Sequence, residues 1–499
     1  MRTWGPLTAV CLGTFMLLLD VTIAIVALPD MARALDASLS DLQWVMDGYA
    51  LALAALLLGV GAAADVLGRR RVHVVGVAVF AVASLLCGLA GGPRMLVAAR
   101  AVQGLGAAAM FATTLPLLGS VYQGKRRSVA LGVWGAVSGA AAAVGPVLGG
   151  LLTDGPGWRW IFYVNLPVSV AAFWLTLRVV PESRGPRGRR VDWAGTATFA
   201  AAAGAVTYGA VRAGAQGWTE SGTLVSFALA AVALVCFVVV ERRGSDPLLD
   251  PRLFLKPAFS GVMVGAFAFN AAAFGALAYT SIWLQTVLGM SPVRGGAVFL
   301  WLSLASFVVA LAGGRLLHGV PARFTVGGGL LLTGAGQFCM AGLDAGSGAG
   351  ALVPGLVLVG VGTGLAMPAI AGAALAAVAP ERAGMAGGAV NTFRQLGYAL
   401  GVAVFGTVLT SDMRGTLPHD AAHALAGGAA GALRGTFPEH TLRGAFASGL
   451  GTVAVTAGLV ATVAGILVLA LVRTPRAQRV GVTESAVPTL GEEEVAPRP

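Results

Sequence analysis

Three ionisable residues lie inside long apolar segments, where such side chains are rare. Asp20 interrupts the run LLLDVTIAIVALP, Asp47 lies in the next apolar segment, and Arg100 lies in LVAARAVQGLGAA. An ionised carboxylate at the centre of a bilayer costs roughly 2.5–3.5 kcal/mol. At 1.5 Å per helical residue the three residues lie at similar depth and are able to meet. Burial and a nearby cation act in opposite directions on a carboxylate, so this set is suited to exchanging a proton.

We therefore expect Asp20 to bind a proton or a cationic substrate, but not both at once. Arg100 would promote proton release in one state, and Asp47 would be a second acid for either task. The alternative is a buried salt bridge that only holds helices together.

The composition places these residues in a membrane protein. The chain has 499 residues, of which 57% are hydrophobic and only 11% are charged, and its mean hydropathy is +0.82. This leaves too little polar surface to cover a soluble protein of this size. A β-barrel would show alternating segments of about ten residues, and these are absent. The chain is therefore expected to be an all-α integral membrane protein.

Apolar stretches of about 20 residues, each long enough to span a bilayer, predict fourteen transmembrane helices. They lie near 7–28, 42–63, 72–90, 95–119, 128–152, 160–180, 193–212, 221–240, 259–288, 294–316, 323–343, 350–376, 385–410 and 445–472. The first span is not expected to be a cleaved signal peptide, because its core is long and contains Asp20.

The basic residues predict the orientation. With the N-terminus inside, 23 Lys and Arg residues fall on the cytoplasmic side and 8 on the outer side. Basic residues in short loops stay in the cytoplasm, so both termini are expected there, in a bacterial-type plasma membrane. The net charge of +11 then faces the anionic inner leaflet, and no nucleic-acid partner is implied.

Polar linkers divide the fourteen predicted spans into groups of six, two and six. This predicts an N-terminal six-helix bundle (1–181), linkers with two additional helices (182–257), a C-terminal six-helix bundle (258–474) and a disordered cytoplasmic tail (475–499). A faint repeat supports the paired bundles, since GAAADVLGRR at 61–70 resembles GRLLHGVPAR at 314–323. Paired six-helix halves around a midplane site are typical of transporters.

Several motifs occur in the order of one known family. GAAADVLGRRR resembles the loop signature of the major facilitator superfamily, LVAARAVQGLGAA its fourth-helix signature, and GPVLGG its exporter motif in the fifth helix. LDVTIAIVALP, WRWIFYVNLP and NTFRQLGYALG resemble the fourteen-span drug/proton antiporters of that superfamily. The resemblance implies two six-helix bundles related by a pseudo-twofold axis, two extra helices between them, alternating access and proton-driven export of lipophilic drugs.

The loop after the second span is a candidate gate. Gly61 and Gly68 permit close helix approach and a tight turn, and Asp65 is able to face a helix N-terminus of the opposite half, where the macrodipole favours an anion. With Arg69 and Arg70, this arrangement suits a latch on the inner side. The alternative is an ordinary basic loop that obeys the positive-inside rule.

The exporter motif is the second candidate gate. Gly145, Gly149 and Gly150 allow a neighbouring helix to approach, and Pro146 removes one backbone hydrogen bond. We expect this segment to lie at a moving interface. Simple helix packing is the alternative.

Polar and aromatic residues of two later spans are candidates for substrate contact, together with Asp20 and Asp47. They are Asn270, Tyr279, Trp283, Gln285, Asn391, Arg394 and Gln395. Aromatic faces accept flat or cationic compounds and amides orient them. Tyr279 and Trp283 equally suit an interfacial aromatic belt.

Other kinds of site are not indicated. His419 and His423 have no evident third ligand, so no metal site is predicted. Neither a nucleophile motif nor a phosphate-binding loop occurs, and no cofactor is expected. The sequence thus predicts a monomeric, proton-coupled antiporter that exports lipophilic drugs, with cationic compounds among the candidate substrates. A proton-coupled importer with the same fold, or a membrane-embedded enzyme, is the alternative.

Overall fold

The protein is all helical in the part of the chain that the computed structural model describes. That part comprises residues 4–185, 191–244, 247–316, 320–378 and 383–472. No strand occurs within these ranges. The predicted tail 475–499, part of the basic linker 182–190 and part of the repeat 314–323 lie outside them.

The helices are numbered in chain order. The first group is α1 (Gly5–Leu35), α2 (Leu39–Leu67), α3 (Arg69–Gly88), α4 (Pro93–Val121), α5 (Gly124–Asp154), α6 (Trp160–Tyr163) and α7 (Asn165–Val179). Next come α8 (Trp193–Gln216) and α9 (Ser221–Arg243). The last group is α10 (Pro257–Phe274), α11 (Leu277–Ile282), α12 (Pro292–Leu316), α13 (Ala322–Cys339), α14 (Val353–Ala376), α15 (Ala383–Met413), α16 (His419–Ala426), α17 (Ala430–Leu433) and α18 (Glu439–Leu471).

Eleven helical segments of the described residues are long and apolar enough to cross a membrane. The prediction of a multi-span helical membrane protein is therefore confirmed. The predicted spans near 128–152, 193–212 and 323–343 coincide with α5, α8 and α13, which are helical but are not among the eleven. The number fourteen stays a prediction.

The turn between α1 and α2 shows how local sequence positions the helices. Asp36 ends α1 in the left-handed region with φ of +49°. Ser38 then begins α2 with a capping box, in which its hydroxyl accepts from the Asp41 amide at 3.2 Å and the Asp41 carboxylate accepts from the Ser38 amide at 2.9 Å. Such a cap contributes about 0.5–2 kcal/mol, so this turn is well defined by sequence.

One predicted span is interrupted. The expected continuous helix 259–288 consists of α10, a break at Gly275 and Ala276, α11 and a π-helical turn at Trp283–Val287. At the break α10 lies against α15, because a side-chain carbon on Gly275 would come within 3.1 Å of the Gly401 backbone. π-helical turns inside membrane helices often occur near functional sites.

Packing divides the helices into two groups and a pair. α1 to α7 pack mainly on one another, as do α10 to α15 with α18. α8 and α9 pack together, and α8 also contacts α2 and α15. The two groups meet where α1 contacts α11, α2 contacts α15 and α5 contacts α12. We call these three contacts the seam.

The long loop after α15 contains α16 and α17, which the sequence did not predict. α16 packs on α2, α15 and α18. Arg414 Nη2 donates to the Gly214 carbonyl and to His423 Nε2, both at 2.7 Å. Burial and the charge of Arg414 lower the pKa of His423, so this imidazole is neutral at neutral pH and suits its role as acceptor. The loop is thereby fastened to the ends of α8 and α15.

Glycines allow α3 and α4 to touch along their backbones. A side-chain carbon on Gly106 would lie 2.6 Å from the Phe80 amide nitrogen and 2.8 Å from the Gly76 carbonyl oxygen. Neither backbone atom is able to move without displacing its helix. Small residues at such crossings are a main source of helix association in membranes.

We predict that Gly106→Ala destabilises the protein by about 1–3 kcal/mol, the usual cost of overpacking. Thermal unfolding of the detergent-solubilised protein, followed by tryptophan fluorescence, measures the effect. Gly204→Ala is the matched control, since a carbon added at that position of α8 meets no atom within 4 Å. Equal unfolding midpoints for the two variants would contradict the role given to the α3–α4 contact.

Candidate functional site

Asp20 lies in a closed network of side-chain hydrogen bonds within the first group of helices. Its side chain is fully buried. Arg100 Nη1 donates to Asp20 Oδ2 at 2.5 Å, while Gln103 Nε2 and Asn165 Nδ2 donate to Asp20 Oδ1 at 2.9 and 2.8 Å. Ser84 Oγ accepts from Gln103 at 2.9 Å. The carboxylate therefore ties α1 to α4 and α7, and α3 joins through the serine.

Arg100 is enclosed on the other side of this pair. Its Nε donates to the Val45 carbonyl at 3.1 Å, and its Nη1 also donates to Gln103 Oε1 at 2.7 Å. The guanidinium carbon lies 4.3 Å from the ring centre of Tyr49 and 5.9 Å from that of Phe162. Aromatic faces attract a cation most strongly where water is excluded. Arg100 is thus held as a buried cation with matched partners.

The predicted meeting of Asp20 and Arg100 is therefore present in the structure. The contributions of Gln103 and Asn165 were not predicted. Gln103 follows Arg100 by three residues and so lies on the same face of α4, a signal that the sequence offered. Asn165 belongs to the quoted motif WRWIFYVNLP, but no spacing rule relates it to Asp20. Only the packing of α7 on α1 brings them together.

Asp47 does not join this network. It is fully buried, and neither of its carboxylate oxygens has a hydrogen-bond partner among the described residues. It lies close enough to Tyr279 and Tyr398, on the opposite side of the seam, to interact with them electrostatically. A buried carboxylate without a donor is costly unless it is protonated or binds a cation. Asp47 is thus a second acid, separate from the first and facing the other group of helices.

Four of the predicted substrate residues form one cluster on α10 and α15. Arg394 Nε donates to Asn270 Oδ1 at 3.3 Å, and Arg394 Nη1 donates to Asn391 Oδ1 at 3.5 Å. Asn270 Nδ2 in turn donates to Gln395 Oε1 at 3.5 Å. The cluster is only half-buried apart from Asn270. These residues thus surround a partly accessible guanidinium, as a substrate-contacting set requires.

Two further substrate candidates, Tyr279 and Gln285, lie in the seam. Gln43 Nε2 donates to Tyr279 Oη at 3.1 Å, and Tyr279 Oη donates to the Val402 carbonyl. Gln285 Nε2 donates to the Val26 carbonyl at 2.7 Å. Tyr279 and Gln285 thus join the two groups of helices in this conformation. Gln43 on α2 provides the donor in the contact with Tyr279, and it was not among the residues predicted from the sequence.

Trp283 is enclosed in the second group. The indole has no exposed surface and stacks on Phe446 with ring centres 5.9 Å apart. It therefore takes no part in an interfacial belt in this conformation. A direct contact between Trp283 and a substrate stays a prediction.

Asp65 forms contacts within its own group of helices. Arg69 donates to Asp65 Oδ1 at 2.9 Å, and the Gly185 amide donates to the Asp65 carbonyl at 2.9 Å. These contacts join the α2–α3 loop to the segment after α7. The proposed latch onto a helix of the opposite half stays a prediction.

The rest of this loop is positioned by Glu182. Its Oε1 accepts from the Arg70 amide at 3.0 Å and so satisfies a free donor at the start of α3. Gly68 has φ of +115°, and a side chain there would strike the Glu182 carboxylate at 2.8 Å. Gly61 is less restricted, since an added carbon would meet Ala112 at 3.7 Å. Both the positive φ and the nearby Glu182 carboxylate therefore require glycine at position 68.

The GPVLGG segment of α5 lies against α1 on one side. A side-chain carbon on Gly145 would overlap the Thr22 hydroxyl, and one on Gly149 would lie 2.9 Å from the Ile23 carbonyl oxygen. Both positions therefore hold α5 against the turn of α1 that follows Asp20.

The other side of the same segment faces α12, across the seam. A carbon on Gly150 would lie 2.7 Å from the Pro292 carbonyl oxygen, and one on Gly296 would overlap the Pro146 carbonyl oxygen. The motif thus joins the helix that contains Asp20 to the second group of helices. This is the geometry expected for a moving interface, whose movement stays a prediction.

We predict that Arg100→Leu costs about 3–5 kcal/mol of stability, because it leaves the Asp20 charge buried without its ion-pair partner. The double variant Asp20→Asn/Arg100→Leu is expected to be more stable than Arg100→Leu alone, since the unpaired charge is removed as well. Thermal unfolding of the detergent-solubilised proteins gives the comparison. Additive losses in the double variant would mean that the two side chains do not act as a pair.

Comparison of the chain with known proteins identifies its family. Residues 10–402 match the family model described as Major Facilitator Superfamily. The Multidrug resistance protein Stp of Mycobacterium tuberculosis is 39% identical over 415 residues, which cover 83% of this chain and 77% of that protein. The Tetracenomycin C resistance and export protein of Streptomyces glaucescens is 34% identical over 500 residues, covering 94% and 91%.

A solved structure agrees in fold. The inward-facing, unoccupied bacterial homologue of the human lysosomal transporter Spinster superposes with a TM-score of 0.62 over 94% of this chain and 96% of that chain, at 18% identity. The family and these relatives are transporters, which excludes the alternative of a membrane-embedded enzyme. This multi-span membrane protein, with its buried Asp20–Arg100 pair, belongs to the major facilitator superfamily and is a transporter of the drug-efflux type.

Proposed function

We propose that the protein is a proton-coupled antiporter that exports drug-like, lipophilic compounds across a bacterial-type plasma membrane. The observation that supports coupling is the Asp20 carboxylate, fully buried and paired with Arg100 at 2.5 Å. Both Asp20 oxygens accept hydrogen bonds. A protonated carboxyl has an oxygen that donates, so proton binding requires at least one of these donors to move.

The two relatives support a drug-like substrate. One is named for multidrug resistance and the other for resistance to and export of tetracenomycin C. Export of small molecules of this kind is the activity that we assign to this chain. A proton-coupled importer with the same fold is the alternative.

The proposed architecture has fourteen spans. α5, α8 and α13 would cross the membrane in addition to the eleven candidate segments. Residues 1–181 and 258–474 would form the two six-helix bundles, and 182–257 would contribute α8 and α9. The packing of α8 on α2 and α15 supports a position beside the seam. Both termini would lie in the cytoplasm, and the protein would act as a monomer.

The seam suggests which side of the cavity is closed. Gln43 contacts Val402, Gln285 contacts Val26, and Gly150 lies against Pro292. All of these contacts lie toward the side on which α1 ends and α2 begins, which the predicted orientation places outside. We therefore assign this conformation to the state that opens toward the cytoplasm, with Asp20 ionised and paired to Arg100.

In the proposed cycle, a proton from outside binds Asp20 in the outward-open state and breaks the ion pair between Asp20 and Arg100. The seam then closes on the outer side, the proton leaves to the cytoplasm and the pair re-forms. The drug binds in this state and leaves to the outside when the seam opens again. Asp47, which faces the seam, would bind a second proton or a cationic group of the substrate. Each charge that moves across 100 mV supplies about 2.3 kcal/mol, and tenfold accumulation requires about 1.4 kcal/mol. For a substrate without net charge, one proton per cycle is therefore sufficient for an uphill gradient.

We predict that Asp20→Asn abolishes dye uptake into everted membrane vesicles that is driven by an imposed proton gradient, because the amide cannot take up the transported proton. Asp36→Asn is the matched control: it makes the same change at the exposed end of α1, at a left-handed position that asparagine accepts. Asp47→Asn is expected to reduce uptake of cationic dyes more than uptake of neutral ones.

Retention of proton-driven uptake by Asp20→Asn, at normal protein abundance, would refute the coupling role of Asp20. Dye entry into intact cells along the proton gradient, rather than into everted vesicles, would favour the importer.

We also predict that Gly150→Ala slows transport about tenfold. The added methyl would strike the Pro292 carbonyl oxygen, and a cost of about 1.4 kcal/mol in the closed seam corresponds to a tenfold shift in that equilibrium. The initial rate of uptake per amount of protein in everted vesicles is the measurement. Gly135→Ala, on the same helix but with no atom within 4 Å of the added carbon, serves as control. Equal rates for both variants would show that the α5–α12 contact does not limit transport.

A further inference from the structure

Arg394 is a cation in a part of the chain that has almost no acidic residues. Between residues 257 and 411 the sequence contains Asp344 and Glu381 and no other carboxylate. Asp344 lies in the turn after α13, where its Oδ1 accepts from the Gly346 amide at 2.9 Å and from Ser347. Glu381 precedes α15 and lies outside the described residues. The described membrane helices from α10 to α14 therefore offer Arg394 no negative charge.

The partners that Arg394 does have are neutral. Asn270 and Asn391 accept at 3.3 and 3.5 Å, and the guanidinium carbon lies 5.9 Å from the Phe269 ring centre. No carboxylate of the described residues lies within salt-bridge distance of Arg394, and no hydrogen bond of Nη2 occurs among them. Arg100, by contrast, has a carboxylate at 2.5 Å. The two membrane-embedded arginines are thus in different chemical situations.

A guanidinium presents paired N–H groups in a plane, which match the two oxygens of a carboxylate. The amides around Arg394 accept from the guanidinium and orient it, so one edge remains for a ligand. The half-buried position of the cluster leaves that edge accessible while weakening the competition from water. A partly buried cation of this kind is stabilised when an anion binds to it.

From this we infer that Arg394 binds an acidic oxygen of the exported compound, so that the substrates include amphipathic carboxylic acids or zwitterions. The inference rests on the proposed export function and specifies its substrate class. Asp47 lies on the facing helix α2 and has no hydrogen-bond partner among the described residues. A zwitterion would therefore meet an acid on one side of the seam and a base on the other.

Two rhodamine dyes with the same ring system test this assignment. Rhodamine B has a free carboxylate, whereas in rhodamine 6G the corresponding group is an ester. Binding of each dye to the detergent-solubilised protein, measured by fluorescence anisotropy, is compared for the wild type, Arg394→Gln and Arg394→Lys. Arg294→Gln removes one positive charge at an exposed position of α12 and is the control.

We expect Arg394→Gln to weaken rhodamine B binding about tenfold, the loss of roughly one charge-assisted hydrogen bond, and to leave rhodamine 6G binding within about twofold. Arg394→Lys should recover part of the affinity for rhodamine B. Equal loss for both dyes, no loss for either, or a wild type that does not bind rhodamine B would each overturn the inference. Proton-driven transport is measured separately in everted vesicles. Dye discrimination at Arg394 without proton-driven transport would refute the proposed function and leave the anion site intact.

Discussion

A fully buried carboxylate and a fully buried guanidinium are strongly stabilised in a membrane interior when each compensates the charge of the other. In this protein that constraint is met by Asp20 and Arg100, 2.5 Å apart and fully buried. Gln103 and Asn165 donate hydrogen bonds to the Asp20 carboxylate, and the Tyr49 ring packs on the Arg100 guanidinium. Because these side chains come from α1, α2, α4 and α7, the charge pair also determines how the first group of helices packs. A change in the ionisation of Asp20 would therefore alter the contacts between all of these helices.

The seam connects that charge pair to the second group of helices. GPVLGG lies against the turn of α1 after Asp20 and also against α12. The distance between these helices is set by backbone contacts, which deform less easily than side-chain contacts. A shift of α1 on protonation of Asp20 would thus be transmitted through α5 as a movement of whole helices. In the proposed mechanism, mechanical coupling depends on glycine at these positions, whereas proton binding depends on the acid.

The two groups of helices are chemically unlike each other. Among the described residues, the first group contains a buried acid without a hydrogen-bond partner, Asp47, and the second contains Arg394 with neutral amide partners only. They lie on the facing helices α2 and α15, which pack along the seam. A substrate site between such surfaces, as we infer above, would favour compounds with separated charges over uniformly apolar ones. This asymmetry distinguishes the proposed substrate sites from the Asp20–Arg100 pair, where the charges are already matched.

Much of the fold was predictable because it depends on local properties. Apolar length identifies membrane helices, and Ser38 with Asp41 marks the start of α2 through a cap between near neighbours. That Asp20 and Arg100 are able to meet inside the membrane also followed from the sequence, since their depth depends on their positions along the helices. Ordered motifs identified the superfamily, which the family match confirmed.

Other features depended on contacts between residues far apart in the chain. Asn165 completes the Asp20 site across 145 positions, and the break at Gly275 arises where α10 meets α15. The sequence identified Asp20 and Asp47 alike as acids inside membrane helices, yet Asp20 has three donors and Asp47 has none among the described residues. Sequence determined which groups enter the membrane, because residue type sets that cost. Tertiary structure alone decided which of them are paired, because pairing depends on where distant helices bring their donors.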